Sequence, residues 1–235
     1  MTPPVTDDRT GPADPAGGPS PELDRRLALL LALAAVATGT ALVVHVLLDV
    51  SLLLAALALV TGTAAMAAVV WSRLDPAGRA DVRRRVWVGL VAGVVATAAY
   101  DLGRFVLVAV LSLSFKPFDV FKLFGQLLVG VDAPLGAVYA AGWTFHIVNG
   151  LGFAIAYTIV VRRPKVWSAV VWAFVLEACM ALLYPSWLRI QALSEFYEVS
   201  VLGHALFGIG LGLTAKRMLR DGASTAQRGE VGTTP

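Results

Sequence analysis

Residues 83–112 read RRRVWVGLVAGVVATAAYDLGRFVLVAVLS, and this stretch decides the fold class. Three arginines stop abruptly at Val86, and from there to Ser112 only Asp101 and Arg104 carry charge. A helix over 86–112 would be roughly 40 Å long at about 1.5 Å per residue, more than the ~30 Å of a bilayer's hydrocarbon core. A soluble core helix has no use for such length without a polar face. The stretch therefore reads as a transmembrane helix with a cluster of positive charge at one end.

The same reading extends outward in both directions. Apolar runs cover approximately 27–48, 51–71, 86–112, 135–161, 166–184 and 199–217, each close to the length one span needs. A lipid-exposed backbone must satisfy its own hydrogen bonds, so helices are expected. The first two runs are separated only by the residues around Asp49–Ser51, which makes them a helical hairpin. Over the chain of 235 residues, 57% are hydrophobic and 15% charged, against roughly half and a quarter in soluble domains. The expected fold is an all-α bundle of about six transmembrane helices over residues 25–217. Flexible tails are expected at 1–24, rich in Pro, Gly, Asp and Thr, and at 218–235. No apolar region or cleavage site follows a short basic start, so the first tail is not read as a signal peptide.

Positive charge orients the bundle. Arg25 and Arg26, Arg73, Arg79 and Arg83 to Arg85, Arg162, Arg163 and Lys165, and Lys216, Arg217 and Arg220 all fall on one side of six alternating spans, while the other side holds Lys116, Lys122 and Arg189. The basic side is expected to be cytoplasmic, with both termini there. The formal charge of +3 sits at the ends of apolar runs and gives no nucleic-acid footprint; the expected partner is the lipid bilayer. The single cysteine, Cys179, excludes an intrachain disulfide and a thiolate metal cluster. Abundant alanine and a strong bias of arginine over lysine suggest a bacterial protein, hence a plasma (inner) membrane location. Two outer segments carry aromatics among charges: 115–130, with Phe115, Phe118, Phe121 and Phe124, and 185–198, with Trp187, Phe196 and Tyr197. Both are expected to lie along the headgroup region, where Arg189, Glu195 and Glu198 would be solvated.

Four spans share a pattern. Val94-Val95 precedes Asp101 as Val170-Val171 precedes Glu177, and His146-x-x-x-Gly150-x-Gly152 matches His204-x-x-x-Gly208-x-Gly210. The expectation is a parallel repeat of two hairpins in spans 3–6, related by an axis along the membrane normal. Each copy has an acid on its first helix and a histidine on its second. Glycines at four-residue spacing around the histidines, Gly142/Gly150 and Gly208/Gly212, place them on ridges that suit close helix packing.

Ionisable groups at membrane depth cost several kcal/mol unless partnered, so they face the bundle interior. Asp101, Arg104, His146, Asn149, Glu177, Tyr184 and His204 are the candidate pocket residues, in the outer half of the bilayer, with Asp101 and Arg104 three apart and able to pair. His45 lies nearer the surface, with Asp49 one turn on. Counted from the span ends, His146 and His204 differ in depth by about two turns, which argues against a haem between them. Asp101, His146, Glu177 and His204 are a plausible ligand set for a divalent metal, although no Glu-x-x-His, His-Glu-x-x-His or cysteine pair supports it. The same groups could bind or relay protons, because a free imidazole titrates near neutral pH. An intramembrane enzyme acting on a lipid or isoprenoid substrate would use Asp101 or Glu177 as general acid, with a lipid-soluble small molecule as partner. In a scaffold or assembly subunit the same polar contacts would only hold helices together.

Overall fold

The computed structural model describes residues 24–187 and 192–231, with the side chains at 184–186 and 221–231 outside that description. Among the described residues there are eight helices and no strand: α1 (Arg25–Ala35), α2 (Ala37–Leu48), α3 (Leu52–Arg73), α4 (Pro76–Leu111), α5 (Asp119–Val129), α6 (Leu135–Val160), α7 (Val166–Trp187) and α8 (Leu193–Val231). α3, α4, α6, α7 and α8 are each long and apolar enough to cross a membrane, and α1 with α2 make a sixth such unit. The chain is thus a multi-pass membrane protein.

The helices start and stop where local chemistry asks them to. Asp75 caps α4 by accepting the Gly78 N–H at 2.6 Å, with Pro76 at the first helical position. Ser112, in the left-handed region at φ 51°, ends it. Asp49, at φ 52°, ends α2, and the tight turn into α3 is fixed by His45 Nδ1, 2.7 Å from the Val50 carbonyl. The His45 ring uses that carbonyl and the ring of Trp187, 5.5 Å away, and its link to Asp49 is through the backbone, where the Asp49 N–H donates to the His45 carbonyl at 3.0 Å.

The basic ends of the helices gather together. Ala28 and Leu31 of α1, Val70 of α3, Val82 of α4 and Ile159 of α6 form one apolar cluster. Arg85 donates to the Thr158 carbonyl at 3.0 Å and Arg84 to the Leu219 carbonyl at 2.8 Å. Arg85 thus meets a carbonyl in the last turn of α6, the favourable sign for a helix dipole, while Arg84 ties α4 to the middle of α8. α4 is central, packed on α6 and on α8; α7 packs on α8, and α1 with α2 on α6.

Four sequence expectations need adjustment. The run 27–48 is not one straight helix but bends by 64° at Val36. Val36, Thr38, Gly39 and Thr40 are weak helix formers, and α6 presses against the break. A Cβ at Gly39 would lie 2.7 Å from the Phe153 ring, and one at Gly152 would overlap the Ala35 carbonyl. Second, α5 does not lie across the helix ends in the headgroup region. Gly125 fits against the Val138 carbonyl, the Phe121 carbonyl fits against Gly142, and the Phe121 ring reaches His146 at 4.5 Å. As the chain advances along α5 its partners recede along α6, so α5 runs antiparallel beside the first half of α6. Pro117, just before it, receives a hydrogen bond from Arg104, well back from the end of α4. Residues 112–129 therefore dip inward and return. Third, most of the 185–198 segment is helical: α7 reaches Trp187 and α8 starts at Leu193, while Arg189 lies outside the described residues. Fourth, the tail expected from 218 begins as a continuation of α8, to Val231; residues 1–23 of the other tail lie outside the described residues.

Candidate functional site

The acids and histidines form two separate pairs, each within one helical hairpin. His146 Nε2 of α6 lies 2.9 Å from Asp101 Oδ2 of α4. His204 Nδ1 of α8 lies 2.7 Å from Glu177 Oε2 of α7 and 3.0 Å from the Ser200 carbonyl. An ionised carboxylate and a carbonyl can only accept, so these ring nitrogens carry the proton. In the neutral rings His146 Nδ1 and His204 Nε2 are then the nitrogens left to take another. Ser200 Oγ donates to the same Glu177 oxygen at 2.6 Å.

These groups share one layer. Asp101 is ten residues from the end of α4 at Leu111, and Glu177 ten from the end of α7 at Trp187. His146 is eleven residues into α6 from Leu135, and His204 eleven into α8 from Leu193. At about 1.5 Å per residue all four sit roughly 15 Å from the same end of the bundle. The two-turn difference expected between the histidines disappears because α8 begins six residues before the apolar run at 199.

Tyr100 stands between the pairs. Its ring centre is 5.9 Å from that of His146 and 5.0 Å from that of His204, the latter edge-on. Arg104 stacks over Tyr100 at 4.6 Å, approaches Asp101 at 3.5 Å and donates to the Pro117 carbonyl at 2.8 Å. Asp101 is thus shared, with its shorter contact to the histidine. Arg104 and Glu177 are each only 5% exposed, a burial that charged groups tolerate only when held by partners.

Both pairs meet at one cavity of about 130 Å³. His146, Asn149, His204, Arg104, Tyr100, Thr97 and Ser200 line its polar side, and Phe115, Pro117, Val120, Phe121 and Phe124 from the inward-dipping segment, with Phe196 of α8, form an aromatic side. Thr97 Oγ1, Arg104 Nε, Asn149 Oδ1 and Glu177 Oε1 are buried without a hydrogen-bond partner among the described residues. Asp101 and Glu177 stand behind their histidines. Past the cavity, Glu195 accepts from the Phe115 N–H at 2.7 Å and the Ser114 hydroxyl at 2.9 Å, while Phe115 and Phe196 meet edge to face at 5.7 Å. Glu195 is therefore a clamp between the dipping segment and α8, beyond the solvated role expected for it.

Of the pocket residues expected from sequence, Arg104, His146, Asn149 and His204 line the cavity and Asp101 and Glu177 support it; the side chain of Tyr184 lies outside the described residues. The four expected metal ligands do not converge on one point. Among the described residues no three His, Cys, Asp or Glu side chains are placed together to hold a metal ion. Sequence reasoning missed Tyr100, Thr97 and Ser200. A signal existed, because Thr97, Tyr100, Asp101 and Arg104 share the i, i+3, i+4, i+7 face of α4, and Ser200 is one turn from His204.

Compared with known protein families, curated proteins and solved structures, the chain matches none.

Proposed function

We propose that the chain is an inner-membrane protein that binds and passes protons through this cavity, which opens toward the outer face. The observation that carries the reading is that two carboxylate–imidazole pairs, at equal depth, put both histidines on the lining of one cavity, on either side of Tyr100. Each acid fixes its histidine's orientation and would stabilise the imidazolium formed on protonation, as acids do for histidines in membrane carriers. The orphaned oxygens of Thr97 and Asn149 supply further acceptors along the cavity wall. A metal cation, the other species weighed for this site, would need ligands drawn together from two pairs that Tyr100 now separates.

The repeat seen in sequence is part of this reading. Gly93 meets Ala154 where α4 crosses α6, and Gly212 meets Ala169 where α8 crosses α7, at 3.1 and 3.0 Å from the built Cβ atoms. These are corresponding positions in the two hairpins. Equivalent residues also line the cavity: Tyr100 with Leu176, Arg104 with Met180, His146 with His204, and Asn149 with Phe207. A duplicated hairpin would thus have kept its histidine–acid pair twice and diverged around it.

The second reading is an intramembrane enzyme for a lipid-soluble substrate. It draws on the aromatic wall and on Glu177 Oε1, buried and unpartnered, as a general acid. Flux through vesicles loaded with a pH-sensitive dye separates the readings, together with metal and lipid identification on purified protein. Proton passage lowered at least tenfold in Asp101→Asn and Glu177→Gln supports the proposal. Stoichiometric metal lost in His146→Ala would move it to a cation, and a copurified lipid consumed on incubation would favour the enzyme. Wild-type behaviour in both acid variants leaves a scaffold.

A further inference from the structure

A second site lies at the basic end, away from the histidines. α3 and α4 are consecutive and joined only through Leu74 and Asp75, yet they make little contact along their lengths. The wedge between them is a cavity of about 510 Å³, within the range of small-molecule pockets. Leu31, Ala67, Ala68, Val82, Val86 and Leu90 line it with Trp71 and Trp87, and Arg83 stands among them. Trp87 is 61% exposed. Within a bilayer an apolar wedge is filled by lipid or by another protein, because water has nothing there to bond to.

Charge selects between lipids. Asp75 is occupied by the Gly78 N–H and Asp81 by Arg85 at 2.8 Å, so neither acid neutralises the groove. Arg79 is turned to the Trp71 and Ser72 carbonyls, and Arg84 to that of Leu219. Arg83, exposed, has no hydrogen bond or ion pair among the described residues. Two tryptophans beside an unpaired arginine match the headgroup level, where indoles anchor and guanidinium groups pair with phosphate. We infer that the α3–α4 wedge binds one anionic phospholipid, its acyl chain between Trp71 and Trp87 and its phosphate on Arg83. The inference rests on the membrane location and is independent of the proton proposal.

Native mass spectrometry of the full chain, titrated with phosphatidylglycerol or with phosphatidylcholine of the same acyl chains, tests it. The wild type should prefer phosphatidylglycerol. Arg83→Gln should weaken that lipid about five-fold, the worth of one basic residue at a membrane surface, and weaken phosphatidylcholine, whose ammonium offsets its phosphate charge, clearly less. Ala68→Trp, which fills the wedge at an exposed position, should remove both. Arg163→Gln, at the basic end but outside the wedge, should change neither; a loss there equal to that in Arg83→Gln would mean a diffuse basic surface and overturn the site. Equal binding of the two lipids, or phosphatidylglycerol binding retained in Ala68→Trp, overturns it as well. So does a wedge that Ala68→Trp shows, by a change from dimer to monomer, to be covered by a second copy of the chain.

Discussion

Alanine at Gly142 should dislodge α5. The Cβ would overlap the Phe121 carbonyl, and a backbone oxygen cannot swing aside as a side-chain tip can. Phe121 and Phe124 are 1% and 4% exposed, so α5 can move away from α6 only by loosening a packed apolar cluster. Overpacking of this kind costs about 1–3 kcal/mol. For a chain of this size that lowers the melting temperature by roughly 2–12 °C. Gly125→Ala meets the Val138 carbonyl across the same interface and should cost a similar amount. The double variant should cost less than the sum, because one displacement relieves both clashes. Gly136→Ala is the control, since nothing lies within 4 Å of its built Cβ. The assay is thermal unfolding in detergent with amide exchange read by mass spectrometry. Exchange across Asp119–Val129 should rise in Gly142→Ala and stay at the wild-type level in Gly136→Ala. An unchanged melting temperature, or a loss of stability with α5 as protected as before, would refute the placement of α5 beside α6.

Other consequences are as specific. Glu177→Leu strands the Ser200 hydroxyl and removes the carboxylate from beside His204, and at about 0.6–2 kcal/mol for each interhelical bond in a membrane it should destabilise by roughly 1–4 kcal/mol; Glu177→Gln keeps an acceptor and should cost clearly less, both read by unfolding in detergent. Gly62→Ala adds a methyl where nothing lies within 4 Å in the interior of α3, and should stabilise by about 0.5–1 kcal/mol through helix propensity. Glu195→Ala removes the acceptor of the Phe115 N–H, so exchange should accelerate at that amide while α4 and α6 retain their protection.

The parts of this fold that were legible in sequence are those set by one helix at a time. Apolar runs ended by Arg83–Arg85 or Arg162–Lys165 define spans without reference to neighbours. An acid and a histidine recurring at matched offsets in two hairpins singled out Asp101, His146, Glu177 and His204, but as one set, with Arg104 as the expected partner of Asp101. What stayed hidden depends on two surfaces meeting. The bend at Val36 comes from Phe153 and Gly152 on α6, more than 110 residues away. The inward path of α5 needs Gly125 and Gly142 together, and neither glycine signals it alone. The depth of His204 was misjudged because Leu193 to Glu198 mixes acids and aromatics and reads as surface, although Phe196 is buried and Glu195 is bonded to Phe115. Separation of the four polar groups into two pairs turned on Tyr100, a residue that composition treats as one more aromatic.

The central claim is that two acid-held imidazoles serve one cavity as a unit. The measurement that tests it most directly is dye-reported proton flux in vesicles containing wild type, His146→Ala, His204→Ala and the double variant, each checked for folding. Flux above empty vesicles, lost in either single variant and no lower in the double, is the predicted result. Flux that persists in both single variants, or that falls independently and additively on a logarithmic scale, would contradict it.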